Sequence, residues 1–309
     1  MKKKLIIHPG YGKCGTTFLQ RNIFNNKKIL QIGRIYDLPN PSSCRYQTEI
    51  IKDLYAKIFD SVPRSKISEN QLILNIKLLA KEIVKLIKKN DSKFIVLSDE
   101  RIFEFYYNDF ENNLISLKLL INEIIKYQKL DISIVLTIRN QSSFILSYYS
   151  YFYHDLKCKF KSINKFINKE ILNKKKSLFW GIDFYKVYLV LKKFFSFKIY
   201  FLALEDLSNN SQNYLFVVNK IFPGIKFNLN LTKKIFSQNK NSYWNIVKYI
   251  NSTNNNFFSK FFLRILPYNF TKKRINISLK KDKRKTINLF YKKNNKKLFN
   301  LTGINLDYF

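Results

Sequence analysis

Short apolar runs rich in Ile, Val, Leu and Phe recur along the chain, separated by longer stretches whose apolar residues return every three or four positions. Runs of this length fit buried strands, and the longer stretches fit amphipathic helices. The pattern predicts strands at Leu5–His8, Ile29–Ile32, Phe94–Ser98, Ile132–Ile138 and Lys198–Leu204. It predicts helices at Thr16–Asn25, Asn70–Lys89, Asn112–Lys129, Ser142–Asp155, Asp183–Phe195 and Asn213–Phe222. Such alternation is expected of an α/β protein, because parallel neighbours need a crossover and a helix supplies it. The expected fold class is therefore α/β, in three layers, with a central parallel sheet flanked by helices. Pro39–Arg45, with two prolines and two serines, reads as a surface loop. After Pro223 strands fade and Asn and Lys crowd the chain. The expected division is a core over 1–245 and a basic helical extension over 246–309 that packs on it.

With 46% hydrophobic and 17% aromatic residues, the 309-residue chain can bury a large core, and a wholly disordered protein is excluded. Its 56 Lys+Arg against 21 Asp+Glu leave +35, a charge that attracts nucleic acid, anionic lipid, or phosphate- and sulfate-bearing ligands without choosing among them. Heavy use of Lys, Asn, Ile, Phe and Tyr, with Gly, Pro and Met scarce, offers coding bias as a second cause. Cys14, Cys44 and Cys158 are odd in number and far apart, and His8 and His154 have no ligand spacing. Neither a disulfide framework nor a zinc site is expected. The basic-apolar start stops at His8-Pro9-Gly10, short of a secretory signal, and no apolar run approaches a membrane span. A soluble, cytoplasmic protein is expected.

The chemistry is concentrated in the first strand and its sequel, LIIH-PGYGKCG-TTFLQ. Three of the chain's seven glycines fall between Gly10 and Gly15. A glycine-rich turn between strand and helix lets backbone N–H groups converge on an anion, and phosphate is the natural guest. Gly10 and Gly15 have the separation of a Walker A motif, but Thr16 stands where that motif has lysine. The loop's cation, Lys13, lies three places earlier.

GYGKCGTTFLQ resembles the phosphosulfate loop of sulfotransferases that use 3′-phosphoadenosine 5′-phosphosulfate (PAPS), a P-K-x-G-T-T stretch in which Gly12 stands where proline is common. A P-loop-like fold follows from the resemblance. So does a PAPS-binding core, in which Gly12, Lys13, Cys14, Gly15, Thr16 and Thr17 surround the 5′-phosphate and Lys13 sits beside the bridging oxygen. An ammonium there stabilises charge that grows in the transition state.

RNQSSFILSYYSY, from Arg139 to Tyr151, resembles the 3′-phosphate segment of the same family, with Gln141 in place of its proline. The resemblance implies that Arg139 and Ser147 hold the 3′-phosphate, an arginine fork being suited to that group. In FIVLSDERIF, the stretch S-x-E looks like one that follows a central strand in bacterial sulfotransferases. Glu100 is the favoured base for an acceptor hydroxyl, with His8 a competing base, and Ser98 a weaker 3′-phosphate contact. Asp99 instead suits a P-loop kinase or NTPase using ATP-magnesium, and either acid can cap the next helix. GIDFYKVYLVLKKFFSFKIYFLALEDL, ending in Glu205, Asp206 and Leu207, and SQNKNSYW also resemble family elements. They bring in Asn239, Lys240, Asn241 and Ser242 as nucleotide contacts. The resemblance spans roughly residues 4 to 245. It implies sulfonyl transfer from PAPS, with PAP as product, to a hydroxyl of a saccharide or other small acceptor. No metal is implied.

A third reading, a basic nucleic-acid or membrane-surface binder, rests on charge and on FFSKFFLRILPYNFTKKR, which as a helix either lies on an anionic membrane or packs on the core. The aromatic run Tyr148–Tyr153 reads as core plus surface, with a sugar-stacking platform as its alternative.

Overall fold

A computed structural model describes residues 2–36, 44–103, 107–153, 159–172, 178–227, 242–245 and 274–306. Its centre is a sheet of five parallel strands, β1 (Lys3–His8), β2 (Ile29–Gly33), β3 (Phe94–Ser98), β4 (Leu130–Ile138) and β5 (Lys198–Ala203). They lie in the order β2-β3-β1-β4-β5, flanked by helices, so the three-layer α/β reading holds. All five residues of β3 and the last four of β1 are buried, because both faces of an inner parallel strand are covered. Their register pairs His8 with Ser98, and β2 pairs Gly33 with the same Ser98.

The chain forms two compact units. The first comprises Met1–Arg139, Lys174–Asn230 and Asn294–Phe309 and contains the whole sheet. In it, Asn294 Nδ2 donates to Asp183 Oδ2 at 2.7 Å, and Leu298, Ile304 and Leu306 are buried. The second comprises Asn140–Asn173 and Leu231–Lys293. It holds helices Gln141–Tyr151 and Ile163–Leu172 and an antiparallel ribbon, Ser242–Asn245 with Arg274–Ile277. In the aromatic run, Tyr148, Tyr149 and Tyr153 are buried while Tyr151 and Phe152 are exposed, the core-plus-surface arrangement. Residues 246–273 of the expected extension, with the FFSKFFLRILPYNFTKKR segment up to Lys273, lie outside the described residues, as do Pro39–Ser43, His154 and Cys158.

Each predicted strand and helix is present, with ends displaced by up to five residues. Helix Glu49–Phe59 was not predicted. It buries Ile51, Leu54, Tyr55, Ile58 and Phe59 at helical spacing and begins at Thr48, whose side chain accepts from Ile51 N. After Pro223, where strands were expected to fade, the described residues of the second unit hold one short antiparallel ribbon of four residues on each side. No described helix is long and apolar enough to cross a membrane.

Candidate functional site

β1 stops at His8, and the chain passes through Pro9–Gly15 before helix Thr16–Asn22 begins. Backbone bonds stitch this loop to β4: Tyr11 N donates to Thr137 O at 3.3 Å, and Thr137 N to Gly10 O at 3.2 Å. Tyr11 is fully buried against Phe103 and Phe184, with ring centroids 5.6 Å from each. The turn at the helix start needs glycine. Gly15 has φ 86°, and a Cβ there would lie 2.7 Å from Leu204 Cδ1. Gly15 provides no side-chain cap, and the first helical turn carries no acid of its own.

Lys13 itself adopts φ 66°, a left-handed conformation uncommon outside glycine. Burial lowers its ammonium to about 8, against the opposing pull of Glu100. The loop therefore holds a partly desolvated cation beside a carboxylate.

Arg139 follows β4 and donates from Nη1 to the Lys13 carbonyl at 3.3 Å. This contact has a topological cause. The connection leaving β1 runs toward β2, whereas that leaving β4 runs toward β5, and β1 and β4 are neighbours. Their carboxyl ends thus border the switch point where open α/β sheets form ligand crevices. The sequence-predicted Lys13 and Arg139, 126 positions apart, meet there.

Glu100 reaches the same loop from β3. Its Oε1 accepts from the Thr16 hydroxyl, and its Oε2 stands 3.6 Å from Arg34 Nη1. A Cβ on Gly12 would come within 3.3 Å of Glu100 Oε2, so the bare glycine lets backbone and carboxylate approach. The adjacent Asp99 has another role. It is fully buried, caps the turn Glu100–Ile102, and accepts from Arg101 N, Nε and Nη2 and from the Tyr46 hydroxyl. Burial would raise its carboxyl, but the Arg101 fork outweighs this and holds it below the usual range.

Other predicted residues fall in several places. Cys14 is a buried free thiol, pushed up by burial, so its side chain is packing. Burial, and then Glu100, raises the Tyr36 hydroxyl against the opposing pull of Arg34 and Thr17. His8 is fully buried, 2.8 Å from Ser98 Oγ through Nδ1, and burial lowers it to about 3. It is a neutral core group, and Ser98, which also accepts from Gln20 Nε2 at 2.8 Å, is core as well. Ser147 lies in helix Gln141–Tyr151 of the second unit. Asn239, Lys240 and Asn241 lie outside the described residues, and Ser242 opens the ribbon strand.

Sequence reasoning missed Arg34, Tyr36, Tyr46 and Arg101. Arg34 had one available signal, the preceding Gly33: at φ 103°, a Cβ there would strike Ser98 O at 2.5 Å, which marks a strand end pressed against its neighbour. No protein-family model matches the chain, and no match is found among curated proteins.

Proposed function

We propose that the chain is a PAPS-dependent sulfotransferase of bacterial type, moving a sulfonyl group to the hydroxyl of a saccharide or another small acceptor. The observation that carries this reading is the hydrogen bond from Arg139 to the backbone carbonyl of Lys13, which sets a strand-end guanidinium against the loop at the switch point. The residues fit the donor. A helix start with no side-chain cap and no acid of its own in the first turn follows Lys13, and Arg139 offers further donors suited to a phosphate. Loop residues Gly12, Lys13, Cys14, Gly15, Thr16 and Thr17 would hold the 5′-phosphate, with Cys14 contributing only backbone. Arg139 would hold the 3′-phosphate.

When bound, PAPS supplies an activated sulfonyl group on a phosphate leaving group. Lys13 steadies the charge that develops on that phosphate. Glu100, oriented by Thr16 and Arg34, takes the proton of the acceptor hydroxyl. A kinase reading would use Asp99 as a metal ligand, yet both its carboxylate oxygens are engaged by Arg101, with Tyr46 on one of them.

Calorimetry separates these readings. PAP should bind in a saturable one-to-one manner, at least about tenfold more tightly than ATP-magnesium. Equal or tighter binding of ATP-magnesium overturns the proposal. Arg139→Ala should abolish the preference for PAP over its 3′-dephosphorylated analogue, and a preserved preference would remove Arg139 from its assigned role.

A further inference from the structure

The amino-terminal edge of the sheet, at the far end of the strands from Lys13, carries a cavity of about 600 Å³ between the starts of β4 and β5. That volume is in the range of small-molecule sites, roughly 300–1,000 Å³. Four lysines line it, Lys4, Lys129, Lys198 and Lys220, and Asp131 is the one carboxylate in the lining. Lys4 is fixed in place: its Nζ donates to Ile221 O at 2.9 Å and stands 5.6 Å from the Tyr200 ring centroid. Ser133, also in the lining, is only 1% exposed, and its hydroxyl has no hydrogen-bond partner. A buried hydroxyl without a partner is costly, and so is a cluster of like charges. An anion seated among them relieves both costs.

We propose that this cavity is a second binding site, distinct from the loop of Lys13, for a small polyanion carrying two or more phosphate or sulfate groups. Several separated ammonium groups favour a ligand with several separated anionic groups. No arginine lines the cavity, so its cations act as separate point charges rather than as planar forks. Burial lowers the Lys4 ammonium, Asp131 opposes this and Lys198 and Lys93 add to it, so an incoming anion would favour the charged form.

The test is calorimetry on the full chain with inorganic tripolyphosphate and, separately, a doubly sulfated disaccharide, at fixed salt. One saturable site is expected, retained when PAP is present in excess. Lys129→Glu with Lys198→Glu, both exposed positions, should weaken the better probe at least about tenfold. The control pair Lys77→Glu with Lys118→Glu changes net charge equally on other exposed positions and should leave affinity within about twofold. Tighter binding of tripolyphosphate assigns the site to a phosphate ligand, and tighter binding of the disaccharide to a sulfated one. Equal loss in both double variants, displacement by PAP, or heat that never saturates with either probe overturns the proposal. Since this cavity and the nucleotide loop involve different residues, either reading can fail alone.

Discussion

Asp99 and Glu100 are consecutive acids at the end of one strand, yet their surroundings are opposite. Asp99 is sealed, with four donor contacts and an Arg101 that also pairs with Asp60 at 3.6 Å and lies over the rings of Tyr46 and Tyr55. Glu100 keeps 21% of its side chain exposed and has one hydroxyl donor and one long ion pair. A buried charge network whose members are all satisfied is rigid and has no capacity left for a ligand. A carboxylate about one-fifth exposed, beside a glycine and a partly desolvated lysine, still has a face open to a ligand. The two sites show how one turn divides neighbouring acids between a sealed network and a partly open carboxylate.

Exchanging their roles by mutation is the sharpest way to break that comparison. Glu100→Gln should lower turnover by about 10² to 10⁴ while leaving stability within about 1 kcal/mol, as expected for a general base in a partly exposed ion pair. Asp99→Ala should do the reverse, costing about 3–5 kcal/mol in urea unfolding by leaving Arg101 buried without its main partner. If Asp99→Ala proves as stable as the parent, the sealed network is not what holds this edge together. Lys13→Ala should then lower sulfonyl transfer by about 10² to 10³ with an unchanged unfolding midpoint. Retained turnover in that variant would remove the loop cation from the mechanism.

How much of this was legible in sequence varies with the distance over which each residue acts. β1, β3 and β4 announce themselves as short runs rich in Ile, Val and Leu, and Lys13 and Gly15 stand out because glycine is so scarce elsewhere. Arg139 was readable as the charge that ends an apolar strand, although its contact with Lys13 depends on β4 lying beside β1. The division between Asp99 and Glu100 was hidden, because it depends on Arg101 folding back two residues and on Tyr46, 53 positions away. Helix Glu49–Phe59 was legible and overlooked: its Thr48 cap and its apolar spacing are both present in the sequence. Arg34 carried no motif, and only the sheet order brings the end of β2 to Glu100.

The smallest predicted effect probes the open side of the comparison by pH. Because burial lowers Lys13 to about 8 from 10.5, its ammonium is lost in the free protein as pH rises through 8. Then kcat/KM, which reports the free protein, should fall about threefold between pH 7.5 and 8.5. The kcat limb should lie at higher pH, since a bound anion holds the proton on Lys13. Stability responds with the opposite sign. Between pH 8 and 10.5 the unfolded chain binds the extra proton, so this residue's contribution to folding rises with pH while activity falls. Lys13→Arg keeps the charge throughout and should erase the kcat/KM limb. If the limb survives unchanged in Lys13→Arg, the titrating group lies elsewhere, and the desolvated lysine is not what sets the pH range of the reaction.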